Sequence, residues 1–298
     1  MDSDSDLYQV PTDVVENWIS LNRIQHHLMS AHSNAELHTK MLPFTLPLVA
    51  KFHKIESLKK PGLQTEIRLL RKLDHTNIIK TFDALKQQVF QGSFVIVYEY
   101  GTQGNLFDFM LKNLRLEKYI VRDICVQLII VHDQCICHRQ ISPIYVVIDS
   151  ELVPKIIHFR DAVEFEEGKL DAQLTWEDGL SYMYAPPEVV KLKNSDTYSG
   201  KMADLWAMGM VLFYVATVKP FFEDEEKALE GLKDFKLYFP EKNIFGLPIS
   251  LSDAQMKFFE DVFQENSASR LSLREMLLSE WLLTEAQESA TNSNSPFI

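Results

Sequence analysis

The apolar residues of this 298-residue chain change their period near residue 100. Upstream, VENWISLNRIQHHLMS (15–30) and ELHTKMLPFTLPLVAKF (36–52) carry short and alternating apolar runs that read as strands, with AHSNA (31–35) as a turn between them. SFVIVYEY (93–100) is a compact buried strand, and GTQGN (101–105) is a glycine-marked connector after it. PGLQTEIRLLRKLD (61–74) places Leu63, Ile67, Leu70 and Leu73 at helical spacing behind a Pro-Gly start, which predicts a helix. Downstream, NLFDFMLKNL (105–114), YIVRDICVQLIIVHDQ (119–134) and MADLWAMGMVLFYVAT (202–217) predict helices, and more follow up to Trp281. YVVID (145–149) and VPKII (153–157) interrupt them as short strands. The expected class is α+β with two lobes and a cleft between them. Residues 1–19 read as a polar arm, 20–100 as a small β-rich lobe, 101–284 as a larger helical lobe and 285–298 as a disordered tail.

Composition narrows the function. Hydrophobic residues make up 46% and charged residues 24%, ordinary values for a folded soluble protein. No apolar run approaches the roughly 20 residues that span a bilayer, and the acidic start MDSDSDLYQV is no presequence. A net charge of −12 argues against a nucleic-acid surface. Three cysteines, Cys125, Cys135 and Cys137, fit a reducing compartment, and no second Cys/His pair has the spacing to make Cys135 and Cys137 metal ligands. The expected location is the cytoplasm, with the nucleus as a further compartment.

The order of elements, together with several motifs, resembles the eukaryotic protein kinase superfamily over roughly residues 20–284. VAK, ending at Lys51, resembles the strand lysine that holds nucleotide phosphates, and Glu66, fifteen positions on, resembles its ion-pair partner in the following helix. HTNII (75–79) resembles the turn after that helix. Tyr98 stands as a bulky gatekeeper before the hinge-like Glu99-Tyr100-Gly101. His138-Arg139 opens the catalytic loop, and His158-Phe159-Arg160 stands where the family has Asp-Phe-Gly. Pro187-Glu188 resembles the end of the activation segment, Asp204-Leu205-Trp206 with Gly209 the central helix of the large lobe, and Arg270 the partner of Glu188. The resemblance implies a nucleotide site at Lys51, Glu66, Glu99 and Gly101, and structural duties for His138, Phe159, Asp204 and the Glu188–Arg270 pair.

The same comparison shows what differs. Gln140 replaces the family's catalytic aspartate, and an amide takes up no proton near neutral pH. Ser142 replaces the phosphate-steadying lysine, Tyr145 the metal-binding asparagine, His158 the metal-binding aspartate and Arg160 the neighbouring glycine. The first glycine of the chain is Gly62, so the loop before Lys51 has none to bring its backbone close to a phosphate. Asp161 could serve the metal only after a register shift of three residues, roughly 10 Å of chain. Asp149 and Glu151 read as solvated, and Ser142 with His138 lacks the third group of a nucleophilic triad.

These differences imply a degenerate member, a pseudokinase that is not an enzyme. It would act as an allosteric regulator or scaffold for other proteins, among them an active kinase. No cofactor would be required, any ATP would bind without magnesium, and no nucleic acid or membrane would be bound. HRQ followed by VVID, and the hinge, give a fainter likeness to the STRAD-type pseudokinases of the Ste20-like group. The alternative is a divergent serine/threonine kinase with residual ATP binding and weak phosphotransfer, with Asp161 or another group serving the metal. A nucleotide-gated scaffold is a third reading. FEDEEKALEG (222–231) is either a solvated acidic face or a docking surface.

Overall fold

The computed structural model describes residues 37–40, 48–54, 61–90, 93–175, 180–192 and 196–283. The strand expected over residues 15–30 lies outside them.

Four strands, β1 (Leu37–Lys40), β2 (Leu48–Lys54), β3 (Thr81–Phe90) and β4 (Ser93–Glu99), form one antiparallel sheet in the order β1-β2-β4-β3. Its register sets Lys51 between Leu37 and Ile96, and Tyr98 between Val49 and Thr81. The pattern did not predict β3. Lys86, Gln87 and Gln88 break its alternation, and β4 recruits it across two register shifts. Helix α1 (Pro61–Lys72) fills the span of the expected helix, and Leu63, Leu69 and Leu70 are buried on its inner face. Proline at its first position costs nothing there, because that amide has no partner within the helix.

The helical part follows with β5 (Gly104–Asn105), α2 (Leu106–Asn113), α3 (Lys118–Asp133) and β6 (Ile136–Cys137). Then come β7 (Val146–Ile148), β8 (Pro154–Ile156), β9 (Val163–Glu164), β10 (Gln173–Leu174), α4 (Pro187–Val190) and β11 (Tyr198–Ser199). Helices α5 (Gly200–Thr217), α6 (Glu225–Gly231), α7 (Asp253–Val262) and α8 (Leu273–Leu277) complete the described chain. The apolar, almost wholly buried α5 is the axis of the core. Trp206 and Phe213 on it meet Phe263, and Phe213 also meets Phe259. Ser199, Ser252 and Ser272 cap α5, α7 and α8 by accepting hydrogen bonds from their first-turn amides, which fixes where each helix begins.

The segment between α1 and β3 is stitched to β8. Ile78 bridges to Ile156, the Ile79 amide donates to the Ile156 carbonyl, and Asn77 Nδ2 donates to the Pro154 carbonyl at 3.1 Å. No described helix is long and apolar enough to cross a membrane.

Candidate functional site

The loop from His138 to Val146 hangs on one carboxylate. Asp204, on the buried first turns of α5, accepts the amides of His138 and Arg139, each at 2.7 Å, and lies 3.0 Å from His132 Nε2. His138 Nε2 lies 2.9 Å from the Ile157 carbonyl, and its Nδ1 accepts the Gln140 amide at 3.3 Å. A carbonyl can only accept, so the network assigns the proton to Nε2 and leaves the ring neutral. Burial first, and the neighbouring His158, push this imidazole down to about 4, against a smaller upward pull from Asp204. Phe159 packs edge-on to His138 at 4.8 Å. The ring nitrogens are committed to these contacts, so His138 cannot activate Ser142, whose buried hydroxyl has no hydrogen-bond partner among the described residues. The expected structural role of His138, Phe159 and Asp204 matches these contacts. So does that of Glu188, whose carboxylate takes both ends of the fully buried Arg270 guanidinium at 2.7 and 2.5 Å.

The other end of the cleft is organised differently. Tyr145 and His158 stack face to face, 4.0 Å apart and 6° from parallel. His158 has left-handed backbone (φ 72°) and its Nε2 lies 3.6 Å from Asp161 Oδ2. That contact with His158 holds the Asp161 carboxyl below its ordinary value, against the upward pull of burial. Asp161 therefore sits against the altered triplet without a register shift. Arg160 does not point into a metal site. Its Nε donates to Glu66 Oε2 at 2.9 Å. Burial works against this guanidinium's charge, and the Glu66 carboxylate more than compensates, so its proton is held more tightly than usual. The Lys51 side chain lies outside the described residues, and the described partner of the buried Glu66 is Arg160. Tyr98 is buried beside this pair, and burial, then Glu66, raise its phenol well above the ordinary value.

At the hinge, the Glu99 side chain is buried. It meets the buried Lys155 Nζ at 3.0 Å, and Lys155 also donates to the Thr76 carbonyl at 2.7 Å. Gly101 lies against β7: a Cβ there would stand 2.6 Å from Val147 Cβ and 3.2 Å from the Ile148 carbonyl oxygen. Asp149, expected to be solvated, instead accepts the Glu151 and Val153 amides at 2.9 Å and lies 3.6 Å from Lys155 Nζ. A turn whose amides face inward needs such an acceptor. Glu151 is exposed as expected.

Magnesium asks for several hard oxygen ligands. Among the described residues no group of three or more His, Cys, Asp or Glu could hold a metal, and the Tyr145–His158 stack offers a ring face and an imidazole. These residues do not fit a resident magnesium ion. Cys125 and Cys137 are buried and Cys135 partly so, and none of the three forms a disulfide.

The comparisons bear on what this frame is. The protein kinase domain family model matches residues 48–282. The chain belongs to the protein kinase domain family. It is 24% identical over 242 residues to the probable serine/threonine-protein kinase MARK-C of Dictyostelium discoideum, covering 80% of this chain and 30% of that protein. It is 24% identical over 253 residues to the human SNF-related serine/threonine-protein kinase, covering 82% of this chain and 31% of the relative. Against calcium-dependent protein kinase 4 of Plasmodium falciparum it is 25% identical over 263 residues, covering 85% and 47%. The chain thus spans less than half the length of these curated relatives. The match corrects one expectation: the chain was expected not to be an enzyme, whereas the kinase family model and the serine/threonine kinase relatives point to a kinase. The physical reason is that the changes at the phosphate end replace single side chains, whereas the frame keeps Asp204 under the loop and the Glu188–Arg270 pair.

Sequence reasoning missed three pairings: Arg160 with Glu66, Lys155 with Glu99, and Glu225 with Ser181 and the Tyr182 amide. Each charged residue was visible in the sequence, but no local pattern joins residues 94, 56 or 44 positions apart, the separations given by the residue numbers.

Proposed function

We propose that this chain is a divergent serine/threonine protein-kinase domain that binds ATP weakly and transfers phosphate slowly. The observation that carries this reading is the match of residues 48–282 to the protein kinase domain, laid over a catalytic loop still pinned by Asp204 and an activation-like segment still pinned by Glu188–Arg270. Slow transfer follows from the residues in place. Gln140 orients a substrate hydroxyl but cannot take its proton, which removes roughly 10²- to 10⁴-fold of rate. Asp161 is the carboxylate set beside position 158. The proposed nucleotide contacts are Lys51, the Glu99 and Gly101 backbone, and Glu66 acting through its ion pair. ATP binding is proposed to need no magnesium. The test is transfer of radiolabelled phosphate to a generic protein substrate by the wild type and Lys51→Ala. A low rate abolished by the substitution supports the reading; no transfer by the wild type overturns it.

Regulation of a protein partner, for instance another kinase, is a second reading, favoured by one contact. Glu225 holds Ser181 and accepts the Tyr182 amide at 2.8 Å, so α6 and the activation-like segment form one continuous surface. Around it Glu223, Glu226 and Glu230 stay exposed. Glu226→Lys with Glu230→Lys should lower recovery of co-purifying protein kinases without changing the melting temperature. Unchanged recovery counts against this surface. A cytoplasmic or nuclear location goes with both readings.

A further inference from the structure

Helix α1 is fastened to the segment after β8 by residues far from it in sequence. Glu66 is 2% exposed, and a carboxylate so buried requires a partner or it forfeits its charge. Its described partner is Arg160, at 2.9 Å. Two residues beyond Glu66, and again about one turn further on, Arg68 and Lys72 both meet Glu164 in β9, Lys72 at 3.0 Å. At the start of the helix the two backbones touch: a Cβ on Gly62 would stand 2.9 Å from the Arg160 carbonyl oxygen. Backbone contact and charge pairing therefore fasten the helix from its first turn to its last.

We propose that Arg160 is the positioning residue of α1. With Glu164 as a second anchor, it holds the helix against residues 158–164, so that the helix keeps its place without help from Lys51 or from a bound nucleotide. A strand lysine paired with Glu66 would link helix position to whatever that lysine grips. A guanidinium supplied by the segment beyond β8 makes the docked position intrinsic to the chain. Arg160 acts through Glu66 and is assigned no contact with substrate. Of the two anchors it matters more, since Glu66 is buried whereas Arg68 and Lys72 are about half exposed and their pairs with Glu164 are screened by solvent.

The inference rests on the kinase frame around α1 but not on phosphate transfer, and hydrogen exchange tests it without an activity assay. Amide exchange of the full chain is followed by mass spectrometry for the wild type, Arg160→Gln, Arg160→Lys and Lys51→Ala, with the amides of α5 as an internal reference. In Arg160→Gln the α1 amides should exchange about tenfold faster or more, the change expected when a buried charge loses its partner, while α5 stays protected. Arg160→Lys should fall between, and Lys51→Ala should match the wild type in α1. Wild-type protection of α1 in Arg160→Gln overturns the inference, as does opening of α1 by Lys51→Ala to the same extent. If Arg160→Gln also exposes α5, the comparison of Arg160→Lys with Lys51→Ala decides: faster α1 exchange in Arg160→Lys alone supports the inference, and equal rates overturn it. A wild type that transfers no phosphate but shows the expected exchange pattern defeats the kinase reading and leaves this one standing.

Discussion

The carboxylate under the catalytic loop and the phosphate end of the cleft are neighbours with different logic. Asp204 is fixed by its donors: two backbone amides and an imidazole converge on two oxygens in a buried place, and any other side chain leaves those donors unpaired. Among the described residues, no backbone group is hydrogen-bonded to the side chains at positions 145, 158 and 160. There the residues satisfy one another instead, Tyr145 on His158 and Arg160 on Glu66. A frame can thus remain that of a kinase while the groups facing the phosphates take new partners. The changed side chains at positions 145, 158 and 160 therefore leave fold and family untouched.

If that contrast is right, substitutions in the first region cost far more stability than substitutions in the second. Asp204→Ala should have the largest effect, about 3–5 kcal/mol, because it strands several buried donors at once. Urea unfolding measures it, and a loss under about 1 kcal/mol would erase the distinction. Arg270→Ala should cost about 2–3 kcal/mol in the same assay, less than a fully buried pair because Glu188 keeps a quarter of its side chain in solvent.

The neutral His138 makes a related prediction about pH. Unfolded, its imidazole takes up a proton near 6.5, whereas in the folded chain it resists down to about 4. The unfolded state binds the extra proton in that interval, so stability is complete above pH 6.5 and falls as the pH drops towards 4. Between pH 7 and pH 5 the loss from this group should be about 2 kcal/mol. Comparing urea midpoints of the wild type and His138→Phe at both values isolates it; identical pH slopes would mean the ring is not held neutral. Smallest of all should be Tyr145→Asn. It removes a half-buried stack in the cleft and should change stability by no more than about 1 kcal/mol. A thermal-denaturation shift as large as that of Arg270→Ala would break the comparison.

The sequence carried the frame well wherever a residue's partner is the local pattern. Leu63 and Leu70 fixed the inner face of α1, the apolar run 202–217 fixed α5, and VVI and PKI announced β7 and β8. It carried the frame poorly where a partner comes from elsewhere. Strand β3 exists because β4 offers it a ladder, despite its polar centre at Lys86 to Gln88. Asp149 looked solvated in a turn between strands, and only folding brings the Val153 amide and Lys155 to it. Arg160 was legible as a cation near the phosphate end, but Glu66 as its destination was not, since the two meet only when α1 packs on the segment after β8.

Restoring the missing base bears most directly on the claim that this cleft is a slowed kinase site. Phosphate transfer from radiolabelled ATP should be timed for the wild type and Gln140→Asp under identical conditions. The account predicts measurable transfer by the wild type and a rate about 10²-fold or more higher in the variant. No transfer by either protein, or equal rates in both, would contradict it.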